Sequence, residues 1–129
     1  MKYLQDYTKD AQTKLYKETG TIFAFSKKQY DEKAVEGVKY VQVFSGCICP
    51  KENAKKLINR LTQIVKDGIK ADLKENGKDA IIERELRNHE CFYAGDISDC
   101  VEKLDEYPIT KEEIKKVYND LYCEVAEEL

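Results

Sequence analysis

The sequence predicts an α+β fold, with about five helices packed on a small two- or three-stranded antiparallel sheet. Three observations carry the prediction. Residues 51–75 repeat apolar side chains at helical spacing. Residues 21–25 and 38–44 are short runs rich in aromatic and β-branched side chains. Thr110-Lys111-Glu112-Glu113 spells a helix start of the T-x-x-E kind. A chain of 129 residues fits one domain, 1–129.

The elements follow in order. Leu4, Tyr7, Ala11 and Leu15 lie on one face of a helix over residues 2–18, and Thr19-Gly20 ends it. Thr21–Phe25 is the first strand. Ser26 caps a short helix over Lys27–Lys33, and Gly37 breaks the chain. Val38–Phe44 is the second strand, with an extension through Cys49, and Pro50 stops the sheet. Ala54, Leu57, Ile58, Leu61, Ile64, Val65, Ile69 and Leu73 form the apolar arc of the longest helix. Lys56, Arg60, Lys66, Lys70 and Lys74 occupy the opposite arc, and Asn76-Gly77 closes the helix. Another helix is expected over Asp79–Tyr93, with Ala94-Gly95 as its turn and Asp96 as the cap of a short helix through Leu104. The last helix opens at Thr110, and Ile114, Val117, Tyr118, Leu121, Tyr122 and Val125 form its seam.

Charge is segregated along this order. The chain carries 22 Lys and Arg against 25 Asp and Glu, a net −3. Residues 91–129 hold four Lys and eleven acids, whereas each of the two preceding stretches is +2. An acidic third repels phosphate, so nucleic acid is not expected as a partner. No apolar run approaches the ~18–20 residues of a membrane span, so no membrane partner is expected either. The start of the chain has no apolar core of a signal peptide, and the five cysteines are odd in number. Both point to reduced thiols and a cytoplasmic location.

The segment Asn88-His89-Glu90-Cys91-Phe92-Tyr93-Ala94-Gly95-Asp96-Ile97-Ser98-Asp99 contains the only histidine, on the apolar arc of its helix. A histidine there needs a partner for each ring nitrogen, from Glu85, Asp96 or a strand carbonyl. One function for the segment is a catalytic or metal-dependent site built from His89, Glu90, Asp96 and Asp99, with Asn88 and Tyr93 as binding residues. The other is a hydrogen-bonded histidine that orients a helix corner, with Asp96 as cap. Cys47 and Cys49 share one face of a strand and, with His89 and Cys91, make four candidate zinc ligands. Residues two apart on a helix diverge by about 160°, so His89 and Cys91 cannot both ligate from a regular helix. No cofactor is implied. Lys66, Lys70 and Lys74 are candidate phosphate or acidic-partner contacts, although such a stripe is the ordinary solvated face of an amphipathic helix. The sequence has no phosphate loop, dinucleotide fingerprint, nucleophile elbow or H-E-x-x-H zinc motif.

Residues 85–118, with their E-L-x-N-H-E-C-x-Y-x-G-D-I-x-D run and the following I-T-K-E-E-I-K-K-x-Y helix, resemble small proteins encoded by tailed phages and related mobile elements of bacteria. The resemblance implies an accessory role in the host cytoplasm, with Asn88, His89, Glu90, Tyr93, Gly95 and Asp96 as the shared pattern. The leading expectation is therefore a protein that acts by binding another protein. A small enzyme at the His89 corner is the second expectation. A homodimer through tyrosines of the terminal helices (Tyr3, Tyr7, Tyr16, Tyr118, Tyr122) is the third.

Overall fold

A computed structural model describes residues 2–128. The described residues form seven α-helices and a three-stranded antiparallel sheet, an α+β fold as the sequence predicts. Five of the helices have seven residues or more. The chain divides into two compact units, Met1–Gly68 and Ile69–Leu129.

In the first unit, α1 spans Leu4–Thr19 and ends at Gly20, whose φ of 71° is the left-handed geometry glycine adopts without a Cβ clash. Strand β1 (Ile22–Phe23) is shorter than the Thr21–Phe25 expected, because Phe25 already turns toward α2. Helix α2 (Lys27–Lys33) starts as expected, with the Ser26 hydroxyl accepting the Gln29 N–H at 3.2 Å. The second predicted strand divides into β2 (Tyr40–Phe44) and β3 (Cys47–Pro50). Gly46, at φ 73°, makes the reversal between them, and a Cβ there would collide with the Phe25 ring. The strand order is β1-β3-β2. Cys47 and Cys49 share the buried face of β3, where they pack with Leu15 and Leu57 under Tyr16, Val43, Leu61 and Ile64.

Helix α3 (Ala54–Asn76) follows a single 3₁₀ turn, and the boundary between the units falls within it. Gly68 lets α3 approach α1: a Cβ there would lie 2.6 Å from the Thr8 methyl group, which is buried. Ile58, expected on the apolar arc, is 45% exposed.

In the second unit the expected helix over Asp79–Tyr93 is two helices, α4 (Lys78–Asn88) and α5 (Cys91–Ala94). Glu90 breaks it with a left-handed φ of 53°. The reason is packing. In a continued helix Cys91 would point about 160° away from His89, toward solvent. The left-handed residue rotates Cys91 and Phe92 inward, leaving them 1% and 5% exposed, and the Phe92 ring stacks on Tyr118 at 5.1 Å. Helix α6 (Ser98–Lys103) and α7 (Lys111–Glu128) complete the unit, and α4, α5 and α6 all pack on or beside α7. The Thr110 capping box forms: Thr110 Oγ1 accepts the Glu113 N–H at 3.2 Å, and Glu113 Oε1 accepts the Thr110 N–H at 3.0 Å. Ile81, Ile82, Leu86, Leu104, Ile114 and Val125 fill the core.

Candidate functional site

The second unit holds two features that a packing core alone does not require. One is a network of charged side chains inside it; the other is an open groove on its surface.

The network begins with Asp72, which is fully buried. Its Oδ1 accepts Arg84 Nη1 at 2.9 Å and Asn76 Nδ2 at 2.8 Å. Its Oδ2 accepts Arg84 Nη2 at 3.0 Å and the Tyr107 hydroxyl at 2.5 Å. The Arg84–Asp72 pair is thus bidentate, the strongest geometry of its kind. Arg84 Nε also donates to Glu85 Oε1 at 3.0 Å. Burial pushes the Asp72 carboxyl up, but the bonds from Arg84, Tyr107 and Asn76 outweigh this and hold it below the usual carboxylate range. Burial and the Asp72 bond together push Tyr107 up. One helix end, one helix interior and the α6–α7 connection are thereby tied to a single carboxylate. Charged side chains in this setting fix a geometry rather than add much net stability.

The groove has a volume of about 650 Å³ and is lined along α6 and α7. Glu102 and Asp105 line it from α6 and the turn after it, Lys111 and Lys115 from α7, and Ile97, Val101 and Tyr118 supply apolar surface. Among the described residues neither lysine makes an ion pair, so side chains of both signs line one opening. Asp96 lines the same groove, its carboxylate held by the Ser98 N–H at 2.9 Å and the Ser98 hydroxyl at 2.6 Å. Those two bonds keep the Asp96 carboxyl below its ordinary range.

The residues singled out from sequence separate into distinct environments. His89 ends α4, with Nε2 at 3.6 Å from Glu85 Oε2. Among the described residues neither of those two atoms has a hydrogen-bond partner. Glu85 is thus the neighbour of His89, in the i−4 relation open to it on the helix. Glu90 occupies the left-handed corner and is exposed, as are Asn88 and Asp99, and Tyr93 is 77% exposed. Of His89, Glu90, Asp96 and Asp99, only Asp96 lines the groove. Cys91 and Cys100 are buried beside one another. Desolvation raises both thiols, Cys100 to about 12, which makes them poor nucleophiles. Cys47 and Cys49 belong to the first unit, His89 and Cys91 to the second. Among the described residues no three His, Cys, Asp or Glu side chains assemble to hold a metal ion. Lys66, Lys70 and Lys74 are all exposed along α3. Tyr16 packs edge-on against Phe23 and Tyr118 against Phe92 and Tyr122, so these tyrosines have partners inside their own units.

Sequence reasoning missed Asp72, Arg84 and Tyr107, and it missed the pairing of Lys111 and Lys115 with Glu102 and Asp105 around one opening. A signal for the first set was present. Asp72 falls three residues after Ile69, and Glu85 four after Ile81, both on buried arcs. An acid at such a position calls for an internal cation.

A family model matches residues 4–124, and the chain belongs to that family, described as a family of unknown function (DUF7659). No curated protein and no solved structure matches the chain. Among the described residues, no helix is long and apolar enough to cross a membrane.

Proposed function

We propose that the protein is a small cytoplasmic accessory protein of phage type that works by binding another protein through the α6–α7 groove. The observation that carries this reading is that Lys111 and Lys115 line one opening together with Glu102, Asp105 and apolar surface. A protein segment with an apolar side chain flanked by charges of both signs satisfies all three surfaces at once, and opposed charges at an interface give register and specificity. The buried Asp72–Arg84 frame supports this use, because Tyr107 anchors the connection between the two helices that form the groove. The phage-like pattern of residues 85–118 supports the accessory role.

The test is a paired affinity capture from host-cell lysate with the wild-type protein and a Lys111→Glu/Lys115→Glu variant as baits. Glutamate suits position 111 in the first turn of α7 and is a good helix former at position 115, so the helix is retained. The wild type is expected to hold a partner in stoichiometric amount and the variant to lose it. Equal recovery by both baits, or no stoichiometric partner with either, contradicts the proposal.

A further inference from the structure

The groove of the second unit is walled by helices and the turns beside them. Its lining residues lie between Gly95 and Asp105 and between Lys111 and Asn119, and none of them is in a strand. On the first wall Ile97 and Val101 are four residues apart, as are Ser98 and Glu102. On the second wall Lys111 and Lys115 are four apart, and Tyr118 follows three later. Residues three or four apart stand one above the other on a helix, so both walls present side chains about once per turn, every ~5.4 Å.

Such walls have little to offer an extended segment. Backbone groups inside a helix bond along that helix, so a strand laid in the groove finds no ladder to join. The N–H and C=O groups it buries there lose water without gaining a partner. A helix brings its own backbone hydrogen bonds. Its side-chain rows also repeat once per turn, the step of both walls, and rows of equal step interdigitate when helices pack. Same-face residues of a strand recur every ~6.6 Å instead and drift out of step.

The lining side chains set the chemistry of the occupant. Ile97, Val101 and Tyr118 are only half-buried, which leaves apolar surface to cover. Lys111 and Lys115 are exposed one turn apart on α7, and two acidic side chains one turn apart complement them. Glu102 and Asp105 are exposed three residues apart and call for basic side chains. Building on the protein-binding reading of the groove, we infer that its occupant is an amphipathic helix of the partner protein. An apolar row runs along the centre of that helix, with acidic side chains one turn apart on one flank and basic ones on the other.

From Lys111 to Asn119 the α7 wall is about 12 Å long at ~1.5 Å per residue, so roughly two turns of helix cover it. A free helix of that length is marginal in water. A probe must therefore be longer than the groove to hold its shape before docking.

Fluorescence anisotropy of the full chain with two labelled synthetic peptides tests the inference. The first peptide is an amphipathic helix of about fifteen residues, near the shortest length that persists in water. It has a central Leu row, a Glu row on one flank and a Lys row on the other. The second has the same sequence with two central residues as D-enantiomers, which break a right-handed helix and keep composition and charge. The helical peptide is expected to bind, and the D-containing one at least about tenfold more weakly. Lys111→Glu/Lys115→Glu is expected to weaken binding of the helical peptide at least about tenfold. Replacing the peptide's Glu row by Lys is expected to restore binding to that variant, which also shows the variant to be folded. Equal binding of the two peptides overturns the inference, as do no binding of the helical peptide at millimolar concentration and unchanged binding by the double variant. If a lysate partner is nevertheless captured by the wild type and lost by the double variant, the groove remains the binding site and only its helical occupant is overturned.

Discussion

The two units solve the problem of a small core in opposite ways. The first unit buries almost no charge. Its buried polar residues are Thr8 and Thr19, which satisfy themselves locally: Thr8 Oγ1 donates to the Gln5 carbonyl and Thr19 Oγ1 to the Leu15 carbonyl. Its cost appears at the surface, where Phe23, Phe25, Val35, Val38 and Phe44 remain exposed. The second unit exposes two tyrosines, Tyr93 and Tyr122, but keeps its aliphatic core inside and buries Asp72, Arg84 and Glu85 with it. It carries nine Lys and Arg against seventeen Asp and Glu, a net −8. The −3 of the whole chain is therefore a small difference between a basic unit and an acidic one. The comparison teaches that surface character and core character are linked. A unit with an apolar interior and a short sheet leaves phenylalanines at its surface, whereas the other ties α3, α4 and the α6–α7 connection to one buried carboxylate.

The largest expected effect breaks the brace. Asp72→Ala leaves the Arg84 guanidinium buried without its bidentate partner, and removing one member of a buried pair costs about 3–5 kcal/mol. Urea denaturation is expected to show the loss. A change below about 1 kcal/mol would mean that Arg84 reaches solvent when Asp72 is gone. The same carboxylate sets an acid limit. Its folded value lies below its unfolded one, so its contribution is complete above the ordinary carboxylate value near pH 4 and is lost as pH falls through the lower folded value. Stability of the wild type is expected to fall over that acid range more steeply than that of Asp72→Asn, in denaturant melts at stepped pH.

A smaller effect tests the first unit. Gly68→Ala improves helix propensity by nearly 1 kcal/mol but sets a methyl group against buried Thr8, and overpacking costs about 1–3 kcal/mol. Net destabilisation is expected, and a stabilised variant would show that α1 yields at this contact. The smallest effect sits at the corner. Glu90 has a left-handed backbone and an exposed side chain, so Glu90→Gly relieves strain, and thermal melting is expected to show a gain of up to about 1 kcal/mol. A clear loss would mean that the Glu90 side chain holds the corner.

Features written in nearest-neighbour chemistry were legible in the sequence. Ser26 and Thr110 cap the helices they were expected to cap, Gly20 ends α1, and Cys47 and Cys49 share one face of β3 because strand side chains alternate. The break at Glu90 was not legible. Periodicity continues through residues 86–93, and the gain that drives the break, burial of Cys91 and stacking of Phe92 on Tyr118, comes from α7. The same holds for the reversal at Gly46, where a run of strand-forming residues conceals a hairpin. Asp72 and Arg84 resembled solvated helix charges because their mutual pairing spans two helices. The groove arises only when α6 and α7 are placed side by side. Of the residues expected at a site, Asp96 alone lines it.

The most direct test of the account sets the groove of the second unit against the phenylalanine-bearing end of the first. Amide hydrogen exchange would be measured on the protein alone and in complex with the partner recovered by affinity capture. The account predicts new protection in residues 95–105 and 111–119, with none arising in residues 21–46. Protection confined to residues 21–46, with the α6–α7 groove exchanging as in the free protein, would contradict it.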